Sequence, residues 1–220
     1  MDKIMGFLPF MLECTVVTVE IFVLTLVISL PLGLPVALGS NSRIKPLSIL
    51  CKTYVWIFRG TPLLLQLFFF YYFFPLVLDM PGMSVFVTVL LTFVLNYAAY
   101  FAEIYRGGIN SIDIGQYEAA HSLGLSRRQT MMDIIMPQTM KAILPPVVNE
   151  AITLVKDTAL ASTLPIIDLM KATNSAVNRT SDVTPYFFAA VIYLLMTFVL
   201  SLLARRLEKY FKRYDGKGEL

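Results

Sequence analysis

Charge is scarce in this sequence. Asp, Glu, Lys and Arg make up 15% of its 220 residues, and 57% are hydrophobic. A soluble domain carries about 25% charge and about 45–50% apolar residues. The excess is gathered into long runs, which excludes an ordinary soluble domain and points to membrane spans of roughly 18 or more apolar residues. Cysteine is nearly absent. Cys14 and Cys51 each lie near the end of an apolar run, on opposite membrane faces in the topology derived below, and read as two buried apolar thiols. The single histidine, His121, has no Cys, Asp or Glu cluster around it, so no metal site is expected. No G-x-x-x-x-G-K-[ST] phosphate loop occurs, so ATP hydrolysis by this chain alone is not expected. No nucleophile–base arrangement stands out, and an intramembrane enzyme is the weakest reading. Internal repeats and low-complexity segments are also missing, and the net charge of +3 is small.

The apolar runs define five expected spans, at about 15–38, 54–78, 83–105, 143–166 and 185–204, within one transmembrane domain covering 1–220. All are expected to be helices, because lipid leaves no partner for the backbone groups of an open strand. The first run could pass for a signal peptide with a cleavage region at Pro35-Val36-Ala37-Leu38-Gly39. It carries Glu13 and Glu20 and is longer than a signal core of about 7–15 residues, so it reads as a retained span.

The basic residues set the orientation. Arg43, Lys45 and Lys52 lie between spans one and two, and Arg106, Arg127, Arg128 and Lys141 between spans three and four. Arg205, Arg206, Lys209, Lys212, Arg213 and Lys217 follow span five, while the other side holds Lys3, Lys171 and Arg179. The positive-inside rule places the first two sets and the tail in the cytoplasm, and the N-terminus outside. The tail directly follows a span, so its bases read as anchors to lipid headgroups and not as a nucleic-acid patch.

The longest cytoplasmic connection, about 107–141, has its own local logic. Residues 116–123 are strong helix formers, and Gly124 suits the left-handed position just past a helix end. Ser126 with Gln129 is a capping-box pattern opening a second helix, in which Met131, Ile134 and Ile135 recur at helical spacing. Pro137 is expected to bend or end that helix. Physics alone gives an ordered surface hairpin, either a simple connector or a rigid knob for a cytoplasmic partner.

Glu118-Ala119-Ala120, three residues, Gly124, nine residues, then Ile134-x-Met136-Pro137 resembles the EAA motif of ABC importer permeases, with Met136 at the usual leucine. Arg59-Gly60-Thr61-Pro62-Leu63-Leu64-Leu65-Gln66-Leu67 resembles the R-G-T-P-L-L-x-Q-L of the polar amino acid branch. The segment 96–109 is similar to that branch's third span, and 154–160 to its L-x-K-D-T-S-L, with Ala159 for serine. The resemblance covers nearly the whole chain. It implies an all-α type I importer core in the bacterial cytoplasmic (inner) membrane, with a coupling hairpin. It also implies a second permease subunit, an ATPase dimer that binds ATP and Mg, an extracytoplasmic substrate-binding protein and a polar amino acid as cargo. In that family Glu118, Ala119, Ala120 and Gly124 would form the docking surface for the ATPase.

Polar groups within the spans narrow the search for a pathway. An ionised side chain at a helix centre costs about 2.5–3.5 kcal/mol on insertion scales, so Glu150, Lys156 and Asp157 must face protein or a wet cavity. Lys156 and Asp157 point about 100° apart on a helix and do not simply pair with each other; each is either satisfied by a neighbouring element or functional. Glu150 either meets a cationic group of the cargo or is solvated near the cytoplasmic face. Thr61, Gln66 and Asn96 are further pathway candidates. Glu103 and Arg106 have ion-pair spacing and read as a structural pair. The competing class is a self-sufficient secondary transporter or channel with Lys156 and Asp157 as an ion relay, which an odd span count and no inverted repeat disfavour.

Overall fold

A computed structural model describes residues 2–79 and 81–212. Arg213 and Lys217 of the basic tail lie outside the described residues. Among the described residues every regular element is helical. The helices are α1 (Asp2–Ser40), α2 (Lys45–Gly60), α3 (Leu63–Val77), α4 (Val85–Asn110), α5 (Ile114–Ser122), α6 (Arg127–Gln129), α7 (Met136–Asp157), α8 (Leu169–Thr180) and α9 (Thr184–Lys212). A π-helical turn (Thr130–Ile135) leads into α7, and a 3₁₀ turn (Thr158–Thr163) follows it.

Among the described residues three stretches are long and apolar enough to cross a membrane: Gly6–Ser40, Val85–Asn110 and Thr184–Lys209. The pair α2 and α3 makes a fourth if taken as one bent span. The expected span at 54–78 is therefore not one straight helix, for its two halves meet at 107°. The cause is local. Pro62 disfavours the helical region for the residue before it, and Thr61 is extended at φ −117°, ψ 144°. The expected span at 143–166 is also displaced, since α7 begins at Met136 and gives way to the 3₁₀ turn after Asp157. Pro137 does not end the helical run, which continues from Arg127 to Asp157. It stands in the first turn of α7, directly after the π-helical turn. The chain widens just before it, with the Met136 N–H bonded to the Met131 carbonyl five residues back.

The bundle is organised on α4, most of whose middle is buried. Along α1 a stripe of Thr18, Ile21, Thr25, Ser29, Gly33 and Ala37 is buried at helical spacing. Small residues let two helix backbones approach closely in lipid. At Gly33 a Cβ would lie 2.9 Å from Phe101 Cβ and 3.0 Å from the Ala102 backbone nitrogen, so α1 and α4 touch where only glycine fits. Phe93, Tyr97, Phe101, Leu67, Leu154 and Leu164 fill the centre between α3, α4 and the end of α7. Sequence reasoning missed α8. Its signal is Asp168, which caps the helix by accepting from the Lys171 N–H at 2.8 Å, and the apolar spacing of Leu169, Ala172 and Ala176, which pack with α1 and α9. Cys14 and Cys51 are both free thiols.

Candidate functional site

The break between α2 and α3 leaves carbonyls without helical donors, and two buried amides take them up. Gln66 Nε2 donates to the Phe58 carbonyl (2.9 Å), the Thr61 carbonyl (3.2 Å) and Thr61 Oγ1 (2.7 Å). Asn96 Nδ2, from α4, donates to the same Phe58 carbonyl (3.0 Å) and to Gln66 Oε1 (3.0 Å). This knot ties the bend to the central helix.

Beside the knot lies an open hollow of about 520 Å³. Its walls come from the break (Arg59 to Leu63), from α4 (Asn96, Tyr97, Tyr100) and from α7 and its end (Glu150, Thr153, Asp157, Leu160). Glu150, Thr153 and Asp157 follow helical spacing along α7, which puts them on one face. Asp157 Oδ2 accepts from the Tyr97 hydroxyl at 2.8 Å, which fixes that carboxylate against α4. Arg59 lines the hollow from the break, its guanidinium 5.3 Å from the centre of the Tyr100 ring and 3.8 Å from Glu103. The hollow therefore combines one guanidinium, two carboxylates, hydroxyls and aromatic faces. Such a set can hold a small molecule carrying charges of both signs.

The sequence-selected pathway residues separate into two groups. Thr61, Asn96 and Glu150 line the hollow, joined by Asp157. Gln66 does not line it and is buried in the knot instead. Lys156 is exposed and is not among the lining residues. Arg59, Tyr97, Tyr100 and Thr153 were not singled out as pathway residues; the alternation of polar side chains along α7 at three- and four-residue steps is the signal that finds Thr153. The expected Glu103–Arg106 pair is present, with Arg106 Nε donating to Glu103 Oε2 at 2.9 Å.

The second candidate feature is the hairpin after α4. Asp113 caps α5 by accepting from the Gly115 N–H at 2.6 Å. Gly124 has φ +73°. The Leu125 N–H bonds the Ala120 carbonyl (3.1 Å) and the Gly124 N–H the His121 carbonyl (2.9 Å), the paired bonds of a Schellman turn. Ser126 and Gln129 form the expected capping box. Glu118, Ala119 and Gly124 are exposed, as is His121. Ala120 is buried under the turn and so stands behind the outer surface.

The family described as binding-protein-dependent transport system inner membrane component matches residues 29–213. The chain belongs to this family. The arginine transport system permease protein ArtQ of Bacillus subtilis (strain 168) is 36% identical to this permease over 209 residues, covering 94% of this chain and 95% of ArtQ. The L-cystine transport system permease protein TcyB of the same organism is 35% identical, covering 91% of this chain and 86% of TcyB. The solved structure of an amino acid ABC transporter with histidines superposes at TM-score 0.87 and 33% identity, covering 94% of the permease and 96% of that chain. A solved structure of the MetNI methionine ABC transporter shares the fold, at TM-score 0.71 and 18% identity. The permease is thus a multi-pass inner-membrane subunit of a transport system, and the ATPase is another subunit.

Proposed function

We propose that this permease carries a polar amino acid through the membrane for an ATP-driven importer, with the hollow at the α2–α3 break as its cargo site. The observation that carries the reading is that Arg59 lines the same hollow of about 520 Å³ as Glu150 and Asp157. An amino acid presents a carboxylate to the first and an ammonium or guanidinium to the second. Two carboxylates against one guanidinium favour a cargo with a cationic side chain. The cargoes named for two relatives, arginine and cystine, are polar amino acids. A self-sufficient ion relay through Lys156 has no support, since Lys156 is exposed outside the hollow.

The rest of the assembly follows the family. The whole chain, 1–220, acts as one transmembrane domain paired with a second permease subunit, identical or paralogous. The more polar α7 supplies the remaining crossing, between α4 and α9. The N-terminus lies outside, facing a substrate-binding protein, and the C-terminus lies in the cytoplasm. Glu118, Ala119 and Gly124 form the knob that meets the ATPase dimer, with Ala120 packed beneath it. ATP and Mg bind that dimer, and this chain needs no cofactor of its own.

Glu150→Gln tests the cargo site, because it keeps size and hydrogen bonding and removes charge. A hydrogen bond to a charged group contributes about 1.5–3 kcal/mol. Uptake of a cationic amino acid by proteoliposomes should therefore fall roughly ten- to a hundredfold, and uptake of glutamine much less. An equal fall for all cargoes with lower thermal stability would assign Glu150 to the fold. No change in either would remove it from the site.

A further inference from the structure

A second charged hollow lies on the cytoplasmic side of Arg59. It has a volume of about 520 Å³ and is lined by Ser40, Lys52, Trp56, Arg59, Glu103 and Arg106, among others. Three of these side chains are cationic, and Glu103 is the one carboxylate among the lining residues. Both oxygens of Glu103 are already engaged by Arg106, and Arg59 reaches Glu103 only at 3.8 Å. A surplus of positive charge remains, on side chains that are exposed or partly exposed.

The chemistry beside these cations is amphiphilic. Lys52, Trp56 and Arg59 follow at four- and three-residue steps, so they run along one face of α2. From Lys52 to Arg59 that face rises about 10 Å along the helix axis. Trp56, the only tryptophan in the chain, is 75% exposed. Ile57, next to Trp56 and farther from the cytoplasmic end of α2 than Lys52, is exposed as well. A soluble anion needs only the cations. A phospholipid needs cations at headgroup depth with exposed apolar surface directly above, and tryptophan is enriched at that level. Basic pockets between helices on the cytoplasmic side suit acidic headgroups.

We propose that this hollow binds an anionic phospholipid of the cytoplasmic leaflet, its phosphate held by Lys52 with Arg59 and Arg106 and its chains lying against Trp56. The assignment rests on the orientation given above and not on the identity of the cargo. Arg59 lines both hollows, so the lipid phosphate competes with Glu103 for the guanidinium that also faces the cargo.

The test uses the intact transporter, permease with its ATPase, in nanodiscs of phosphatidylcholine containing a low fraction of brominated phosphatidylglycerol or brominated phosphatidylcholine. Subtracting the emission of a Trp56→Phe transporter isolates the tryptophan of interest. At equal mole fraction the anionic brominated lipid should quench Trp56 more strongly than the neutral one. Lys52→Gln should weaken that preference about fivefold, the effect of one lysine near an acidic surface. Equal quenching by the two lipids, or a preference unchanged in Lys52→Gln, overturns the proposal. So does loss of the preference in inorganic phosphate at an ionic strength where chloride leaves it intact, which would make the hollow a free-anion site. A Lys52→Gln transporter that still copurifies with its ATPase rules out misfolding as the cause. Uptake by Glu150→Gln reports on the cargo site separately.

Discussion

Replacing Asn96 with leucine removes one side of the knot at the helix break while nearly preserving volume. The Phe58 carbonyl keeps its bond from Gln66 Nε2, at 2.9 Å, so it is not orphaned. Gln66 Oε1 loses the donor that reached it at 3.0 Å, and no other bond to it is found among the described residues. Hydrogen bonds between membrane helices average about 0.6 kcal/mol and reach about 1.7, whereas a buried acceptor left without a partner costs about 1–3 kcal/mol. The orphan therefore dominates, and Asn96→Leu should destabilise by roughly 2–4 kcal/mol. Gln66→Leu breaks three bonds to Phe58 and Thr61 and also the shared one. The double variant loses the shared bond only once and leaves no orphaned glutamine oxygen, but it strips the Phe58 carbonyl of both its amide donors. These two terms of about 1–3 kcal/mol oppose each other, so the double variant should stay within about 1 kcal/mol of the sum of the singles. Unfolding in mixed micelles with increasing dodecyl sulfate measures all three. A loss below about 0.5 kcal/mol in Asn96→Leu would refute the knot as the element that holds the bend. Uptake should also drop in Asn96→Leu at temperatures where it remains folded, because the Thr61–Pro62 wall of the hollow loses its tether.

Gly124 has open space around it but φ +73°, so Gly124→Val should act through strain of about 1–2 kcal/mol and abolish cargo-stimulated ATP hydrolysis or release the ATPase during purification. Normal stimulation and assembly would remove the docking role. Ser175 and Ser126 are both exposed; a cysteine at 175 should react with an impermeant thiol reagent added outside intact cells, and one at 126 should not. The reverse pattern would invert the topology. Asp168, at the start of α8 beyond the spans, is fully buried, and burial pushes its carboxyl from 3.8 up to about 6. Between those values the folded state binds more protons than the unfolded, so stability present below pH 4 is lost as pH rises through 6, by at most about 3 kcal/mol. Asp168→Asn keeps an acceptor for the Lys171 N–H and should flatten that pH dependence and raise the melting temperature above pH 7; an unchanged profile would assign the loss to other groups.

Features decided within a few residues were legible in the sequence. The capping box at Ser126 and the left-handed turn at Gly124 follow from side-chain chemistry that acts on the nearest backbone groups. The bend at Pro62 was not. Pro9, Pro31, Pro35, Pro145 and Pro146 all lie inside continuous helices, and nothing local distinguishes Pro62 from them. The difference is tertiary: an open break in lipid requires partners for the freed carbonyls, and these come from Gln66 one turn on and from Asn96 thirty residues further. The same two amides looked like pathway lining because a buried amide in a span must be satisfied by something, and sequence does not say whether by cargo or by backbone. Asn96 turns out to serve the backbone from the wall of the hollow, and Gln66 from behind it.

The adjacent charges at the end of α7 show how helical geometry chooses between transport classes. A proton or ion relay would need Lys156 and Asp157 to open into one cavity. Neighbours on a helix diverge by about 100°, and here Asp157 meets the Tyr97 hydroxyl at the hollow while Lys156 is exposed outside it. The residue that does share a face with Asp157 is Glu150, seven positions earlier and about 10 Å along the axis. Two carboxylates from α7, with Arg59 from the break, leave the hollow one negative charge in excess. A bound zwitterion would leave that excess in place, and a cargo with one further positive charge would neutralise it. In the reading proposed above, a cationic amino acid is therefore the occupant that leaves the fewest charges in the hollow without a partner.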